Sequence, residues 1–400
     1  MRILFLSPRL PHRRVRSGHA IVHQRIRRLA ARGHEIGLAS FVTDADLEHV
    51  QEVRETVFRL KTLPTPTTPA LGPRLIRALT GPPLPFRPWA SPAMKQLVGD
   101  MVEEDRYDAV IAEFSVMAQF LYRNPWLPAT RTVISCHQCA TVASQKRCEL
   151  LGYTPAGLLE RARRDRLRDY EFRLYRSVDR VLVLTPQERY QLLNYAPDVR
   201  TAVVPYGVDT DAFRPADGGP PPEGVVFTGY YADEPNRDAV YWFVETVWPR
   251  LRALRPNLKF YLVGPNPTPA MLGYARQDPN IVVTREVEDV REYLNRSAVF
   301  VCPVRMGSGM RGKILEAMAS GTPVVTTSLG AEGIPAQPGE NCLLADDPAF
   351  MAQQIELLLG DEALRRTLAA NARRMVVERL SWDITVRRLE ETLARLFERY

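Results

Sequence analysis

The chain has 400 residues, 45% of them hydrophobic and 25% charged. That is enough for two or three domains with cores of their own, and too apolar for a disordered chain. Its net charge of +7 is unevenly held: residues 1–208 carry 31 Lys and Arg against 20 Asp and Glu, with all six His, whereas residues 209–400 carry 22 against 26. A half at +11 beside a half at −4 points to an anionic partner, whether nucleic acid, a membrane surface or a phosphorylated substrate. No run reaches 18 apolar residues, so no membrane-spanning helix is expected; Met1–Leu10 runs into a basic loop, so no secretory signal is expected.

Short β-branched runs alternate with amphipathic segments, the pattern of parallel sheets covered on both faces. Arg2–Leu6 reads as the first strand. Gly18–Arg32 reads as a helix with Ile21, Ile26, Leu29 and Ala30 on one side and Gly33 as its stop. Strands follow at Glu35–Phe41, Asp108–Ala112, Arg131–Ser135, Arg180–Leu184 and Arg200–Val204. A second series begins after Val208, with strands at Val225–Thr228, Lys259–Val263, Ile281–Thr284, Val299–Cys302 and Val324–Thr327. Its helices are expected at Arg237–Leu254, Val290–Leu294, Lys313–Ala319, Met351–Leu359 and in the tail. Two βαβ series joined by the Pro/Gly-rich stretch 212–224 predict an α/β protein with two doubly wound, Rossmann-like domains.

Three stretches interrupt this grammar. Residues 64–92 hold nine Pro, which excludes a regular helix or inner strand throughout; Leu84, Phe86 and Trp89 favour a partly ordered binding loop. Leu158–Arg176 carries seven Arg against four acids, and reads as a solvated helix face or as a docking helix for a membrane surface or phosphate-rich partner. The five Cys (136, 139, 148, 302, 342) are too few and odd in number for a disulfide framework, so a reducing, cytoplasmic setting is expected. Cys136 and Cys139 form a CxxC pair, but no second ligand pair at zinc spacing accompanies it.

The chemistry concentrates in residues 304–333. A strand ends in a glycine-rich turn, Gly307, Gly309 and Gly312, that opens a helix. Free amides at such a helix start face an anion, and Lys313 in the first turn can reach the same phosphate. Glu316 shares a helix face with Lys313, where an ionised carboxylate suits two ribose hydroxyls; Ile314, Leu315 and Met318 point to the core. GSGMRG (307–312) also matches the GxGxxG dinucleotide fingerprint, which leaves an NAD-dependent oxidoreductase as an alternative. That reading wants an acid at the end of the next strand, which here ends Thr326-Thr327-Ser328. A non-catalytic basic protein binding membrane or nucleic acid is a further alternative, although no helix-turn-helix or aromatic–basic interleaving stands out.

Lys313–Val325 followed by Gly330-Ala331-Glu332-Gly333 resembles the nucleotide-sugar signature of glycosyltransferase family 4, whose members are retaining GT-B enzymes. Further landmarks resemble that family in order: Ser17-Gly18 with Arg32-Gly33-His34-Glu35, Val183–Thr185 with Glu188, and Pro205–Asp209 with Phe213 and Pro215. Phe227–Gly229, Val263–Pro265 and Ser381-Trp382 complete the series. GSGMRGKILEAMA is similar to a branch linked to exopolysaccharide assembly.

The resemblance implies two domains facing a cleft: 1–208 for the acceptor, 209–380 for the nucleotide-sugar, with 381–400 packing back on the first. It implies catalytic roles for His137, Arg311 and Lys313, and donor binding by Gly18, Gly229, Glu286, Val287, Gly307, Ser308, Gly309, Met310 and Glu316. It implies no metal and no cofactor beyond a nucleotide diphosphate-sugar co-substrate. The implied partners are that donor and a saccharide or lipid-linked acceptor, with peripheral membrane contact through the basic first domain, at the cytoplasmic face, and no nucleic acid. Two departures matter. Ser308 stands where the signature has the first of its two Glu, and no Lys or Arg lies between Gly229 and Arg237, which leaves the diphosphate charge to Arg311 and Lys313.

Overall fold

The computed structural model describes residues 1–13, 18–66, 81–127, 130–216, 218, 223–307 and 309–398. Ser17, Ser308 and parts of the Pro-rich stretch and of the 212–224 linker lie outside the described residues. The chain divides into two compact units, Met1–Pro205 with Val386–Tyr400, and Tyr206–Thr385.

Among its described residues the first unit has seven strands: β1 (Arg2–Ser7), β2 (Glu35–Val42), β3 (Arg59–Pro64), β4 (Ala109–Glu113), β5 (Arg131–Ser135), β6 (Arg180–Val183) and β7 (Thr201–Val203). Their order is β3-β2-β1-β4-β5-β6-β7, every pair parallel. Ile3–Leu6 and Ala109–Ala112 are fully buried, as strands sandwiched between helix layers must be. The winding reverses between β1 and β4. In open parallel sheets this switch point, at the carboxyl ends of the strands, is where loops part and leave a crevice.

Among its described residues the second unit has six parallel strands: β8 (Val225–Thr228), β9 (Phe260–Val263), β10 (Ile281–Val283), β11 (Val299–Cys302), β12 (Val324–Thr326) and β13 (Leu343–Leu344). Their order is β10-β9-β8-β11-β12-β13, so the switch lies between β8 and β11. The two doubly wound sheets expected from the sequence are both present.

The differences are local. β3 lies at the edge with half-exposed, mixed side chains (RLKTLP), and β13 is two residues long, so neither has a core-strand pattern. The expected Arg237–Leu254 helix begins at Glu234 and opens into a π turn at Phe243–Val247, where Trp248 N–H reaches the Phe243 carbonyl. Pro249 follows immediately and has no N–H to continue the regular ladder. The units divide at Pro205–Tyr206, three residues before the expected boundary. Val208 is held by the second unit: its N–H donates to the Leu380 carbonyl (2.9 Å) and its carbonyl accepts from Trp382 N–H (3.1 Å). The last helix, Trp382–Ala394, runs from one unit into the other, and Glu390 accepts from Arg32 Nε and pairs with His34 Nε2, both at 2.8 Å. In the Pro-rich stretch, Phe86 is fully buried and its ring packs edge-on against Tyr170 at 5.1 Å.

Candidate active site

In the second unit the switch point is lined by the ends of β8 and β11. β11 leads into the turn at Gly307 (φ +94°) and Gly309 (φ +88°), conformations that a side chain would strain. The turn opens the Gly312–Ala319 helix, where Arg311 at the cap position supplies no side-chain cap. The first-turn amides have no intrahelical acceptor and carry the positive end of the helix dipole. Ile314, Leu315 and Met318 are buried, which fixes the helix rotation and presents Lys313 and Glu316 on the other face, both half-buried.

Lys313 reaches across to β8. Its Nζ lies 4.3 Å from the centre of the Phe227 ring and donates to Asn236 Oδ1 at 2.7 Å. Asn236 Nδ2 in turn donates to the Tyr230 carbonyl at 2.8 Å, tying the turn after β8 to the ammonium. A Cβ on Gly229 would sit 3.2 Å from Nζ, so a larger residue would crowd the ammonium and shift it by a few tenths of an ångström. Burial lowers the Lys313 pKa to about 8, with Arg311 adding repulsion, so the ammonium persists at neutral pH but is held at a cost. Burial raises the Glu316 carboxyl, with Lys313 opposing. Arg311 Nη2 donates to the Met306 carbonyl at 3.2 Å, which holds the guanidinium against its own loop. The arrangement is a cationic, amide-lined cradle with a carboxylate one turn deeper, suited to phosphate followed by vicinal hydroxyls.

The first unit places a different cluster at its own switch. Glu113, the last residue of β4, is wholly buried and faces Arg25 and His137. Arg25 Nη1 lies 3.2 Å from Oε1 and donates to Ser135 Oγ at 2.7 Å; His137 Nε2 lies 2.6 Å from Oε2. Burial alone would raise the carboxyl, but Arg25 and His137 outweigh it and hold Glu113 at about 2. Burial lowers the His137 pKa, with Glu113 opposing. A neutral imidazole between these groups donates from Nε2 to the carboxylate, leaving Nδ1 as an acceptor. That Nδ1 is buried and has no hydrogen-bond partner among the described residues. It faces the start of the Gly18–Ala31 helix, where a Cβ on Gly18 would stand 3.2 Å away. Phe114 stacks on the His137 ring (4.0 Å, 18°) with φ +66°, a strained backbone for a bulky residue.

The residues expected from the sequence thus fall into separate groups. Gly229, Gly307, Gly309, Arg311, Lys313 and Glu316 gather around the second switch, and Gly18 and His137 at the first. Met310 and Val287 pack partly on the core of the second unit. Glu286 is exposed beyond β10, the edge strand, which β9 separates from β8. Arg25, Glu113, Phe114 and Asn236 were not singled out. A signal for Arg25 existed: it falls on the buried stripe of Ile21, Val22, Ile26 and Leu29, where a charge calls for a buried partner. Glu188, expected at the last turn of the first domain, accepts from Leu184 N–H while Thr185 Oγ1 accepts from Glu188 N–H, a reciprocal helix cap.

Comparison with known proteins bears on this geometry. Residues 222–361 match the family model described as glycosyl transferases group 1, and residues 20–212 that described as glycosyltransferase family 4. The capsular polysaccharide biosynthesis glycosyltransferase CapM of Staphylococcus aureus is 32% identical over 119 residues, 29% of this chain and 31% of that protein. The chain thus spans about a third of that relative. The D-inositol 3-phosphate glycosyltransferase of Geodermatophilus obscurus is 28% identical over 387 residues, 90% of this chain and 80% of that protein. Among solved structures, the sucrose-phosphate synthase of Thermosynechococcus elongatus superposes with a TM-score of 0.76 at 19% identity, covering 99% of each chain. The Anabaena HepE in complex with UDP gives 0.71 at 14% identity, covering 99% of this chain and 100% of that one. At these identities the structural likeness is one of fold. The oxidoreductase alternative is not favoured: the glycine loop follows β11 rather than the unit's first strand, and β12 ends at Thr326 without an acid. With two family models in tandem along most of the chain, and two doubly wound sheets of the expected order, the chain belongs to the family 4 glycosyltransferases and has the GT-B fold.

Proposed function

We propose that the protein is a retaining, metal-independent glycosyltransferase of glycan or polysaccharide assembly. It moves a sugar from a nucleotide diphosphate-sugar to a saccharide or lipid-linked acceptor, and works at the cytoplasmic face of a membrane. The observation that carries this is the cradle at the β8/β11 switch: two left-handed glycines, helix-start amides that the Arg311 side chain does not cap, and Lys313 held over Phe227 by Asn236. The unit Tyr206–Thr385 binds the donor, its diphosphate at the amides with Arg311 and Lys313, its ribose at Glu316. The unit Met1–Pro205 receives the acceptor, and His137 Nδ1 accepts from a sugar hydroxyl. The HepE structures contain UDP and UDP-glucose, which supports a nucleotide diphosphate donor here.

In the transfer, the bond from the anomeric carbon to the β-phosphate oxygen breaks as the acceptor oxygen bonds to the same face. The acceptor proton leaves with the departing diphosphate. Fixed amides and two cations stabilise the charge that develops on the leaving group. A panel of nucleotide-sugars with and without EDTA, read by thermal shift and by NMR of the product anomer, tests the proposal. One donor should raise the melting temperature, transfer should survive EDTA, and the anomer should be kept. Loss of transfer in EDTA or an inverted product would overturn those parts.

A further inference from the structure

The longest helix of the first unit, Pro155–Arg176, begins at a tightly built hairpin after the Ala140–Leu151 helix. Gly152 ends the first helix with φ +56°. Thr154 caps the second by accepting from Gly157 N–H at 3.2 Å, and a Cβ on Gly157 would collide with the Gly152 carbonyl. Arg161 Nη2 donates back to the Cys148 and Gly152 carbonyls, and its guanidinium lies 4.6 Å from the centre of the Tyr153 ring. The turn is therefore ordered, yet it turns its apolar side chains outward: Tyr153 is 82% exposed, Leu158 52% and Leu159 50%.

Pro155, Leu158, Leu159 and Ala162 stand at helical spacing on one stripe, and all four are exposed. Single exposed leucines are ordinary; a contiguous stripe with a tyrosine at its tip marks a contact surface. The flanks are basic. Arg163 on this helix and Arg147 on the preceding one are exposed, and the acid next along the stripe, Asp165, is taken up by Arg164 (3.6 Å) and Arg168 (3.3 Å). Apolar stripe, interfacial tyrosine and arginine rim together match an anionic bilayer surface, whose headgroups take the charge while the side chains enter the acyl boundary.

We infer that the hairpin Tyr153–Arg163 is the surface by which the protein docks on an anionic lipid bilayer. This names the surface behind the membrane contact proposed above, and rests on that contact. Co-sedimentation of the full chain with phosphatidylcholine vesicles, with and without phosphatidylglycerol as the anionic lipid, tests it. The wild type should pellet with the anionic vesicles, and several-fold less at high salt. Y153S/L158S/L159S should lower the partition coefficient about tenfold or more, as should R147E/R163E, while L158F/L159F should retain binding. All substitutions are at exposed positions, and circular dichroism checks the fold. A wild type that ignores anionic vesicles overturns the contact and the surface together. Wild-type binding that survives both sets of substitutions overturns the surface alone. Self-association without lipid that the triple variant abolishes would assign the stripe to a second copy and overturn the proposal.

Discussion

Replacing Glu113 with Gln probes the switch point of the first unit most directly. The carboxylate is wholly buried between Arg25 and His137, and its pKa of about 2 lies well below the ordinary 4.5. Each unit of displacement is worth about 1.4 kcal/mol, so the ionised form contributes about 3 kcal/mol to folding at neutral pH. Breaking a buried ion pair by removing one partner costs about 3–5 kcal/mol, which agrees. Gln keeps the volume and one acceptor, but that oxygen cannot serve Arg25 and His137 at once, and its amide meets a donor on one side. For a unit of this size about 3 kcal/mol lowers the melting temperature by roughly 6–12 °C. The contribution belongs to a carboxylate with a depressed pKa. It is therefore complete above 4.5 and is lost as pH falls toward 2, so the gap between wild type and E113Q should close progressively below 4.5. Hydrogen exchange at the β4 amides, Val110–Ala112, reports on this unit alone and can be followed from pH 7 to pH 3. Protection that changes by less than about 1 kcal/mol at pH 7, or a gap that does not narrow on acidification, would refute the account of Glu113 as a buried charge held between Arg25 and His137.

Three further outcomes are expected. Glu316→Gln should weaken nucleoside diphosphate binding by about tenfold in calorimetry, the worth of a charged hydrogen bond to a hydroxyl; equal affinity would remove the ribose role. Diphosphate affinity should fall as pH rises through about 8, where the Lys313 ammonium loses its proton, and Lys313→Met should abolish that part of the pH profile. Gly264→Ala should cost about 3 kcal/mol in urea unfolding, because φ is +146° and a Cβ would run into the Gly229 carbonyl; a change within 0.5 kcal/mol would mean the β8 and β9 ends can part freely.

The parts of this molecule that were legible without coordinates are those encoded over short range. Runs such as Ile3–Leu6 and Val299–Cys302 are apolar throughout because both faces of a parallel sheet are covered. The turn at Gly307–Lys313 announces itself because left-handed backbone and a helix start demand glycine, wherever the rest of the chain lies. β3 and β13 were missed because an edge strand with mixed side chains and a two-residue strand carry no pattern.

Partnership was decided by the tertiary structure. Arg25, Glu113 and His137 are 88 and 24 residues apart along the chain, and Lys313 is 77 from Asn236. Only the parallel pairing of β4 with β1 and β5, through long crossovers, brings the first group to one sheet edge; the ends of β8 and β11 do the same for the second. Periodicity says which side of a helix is buried and not against what. So Arg25 could be read as a charge on an apolar face, but not as the partner that holds Glu113 ionised. That pairing is set by strand order, which no local pattern in the chain contains.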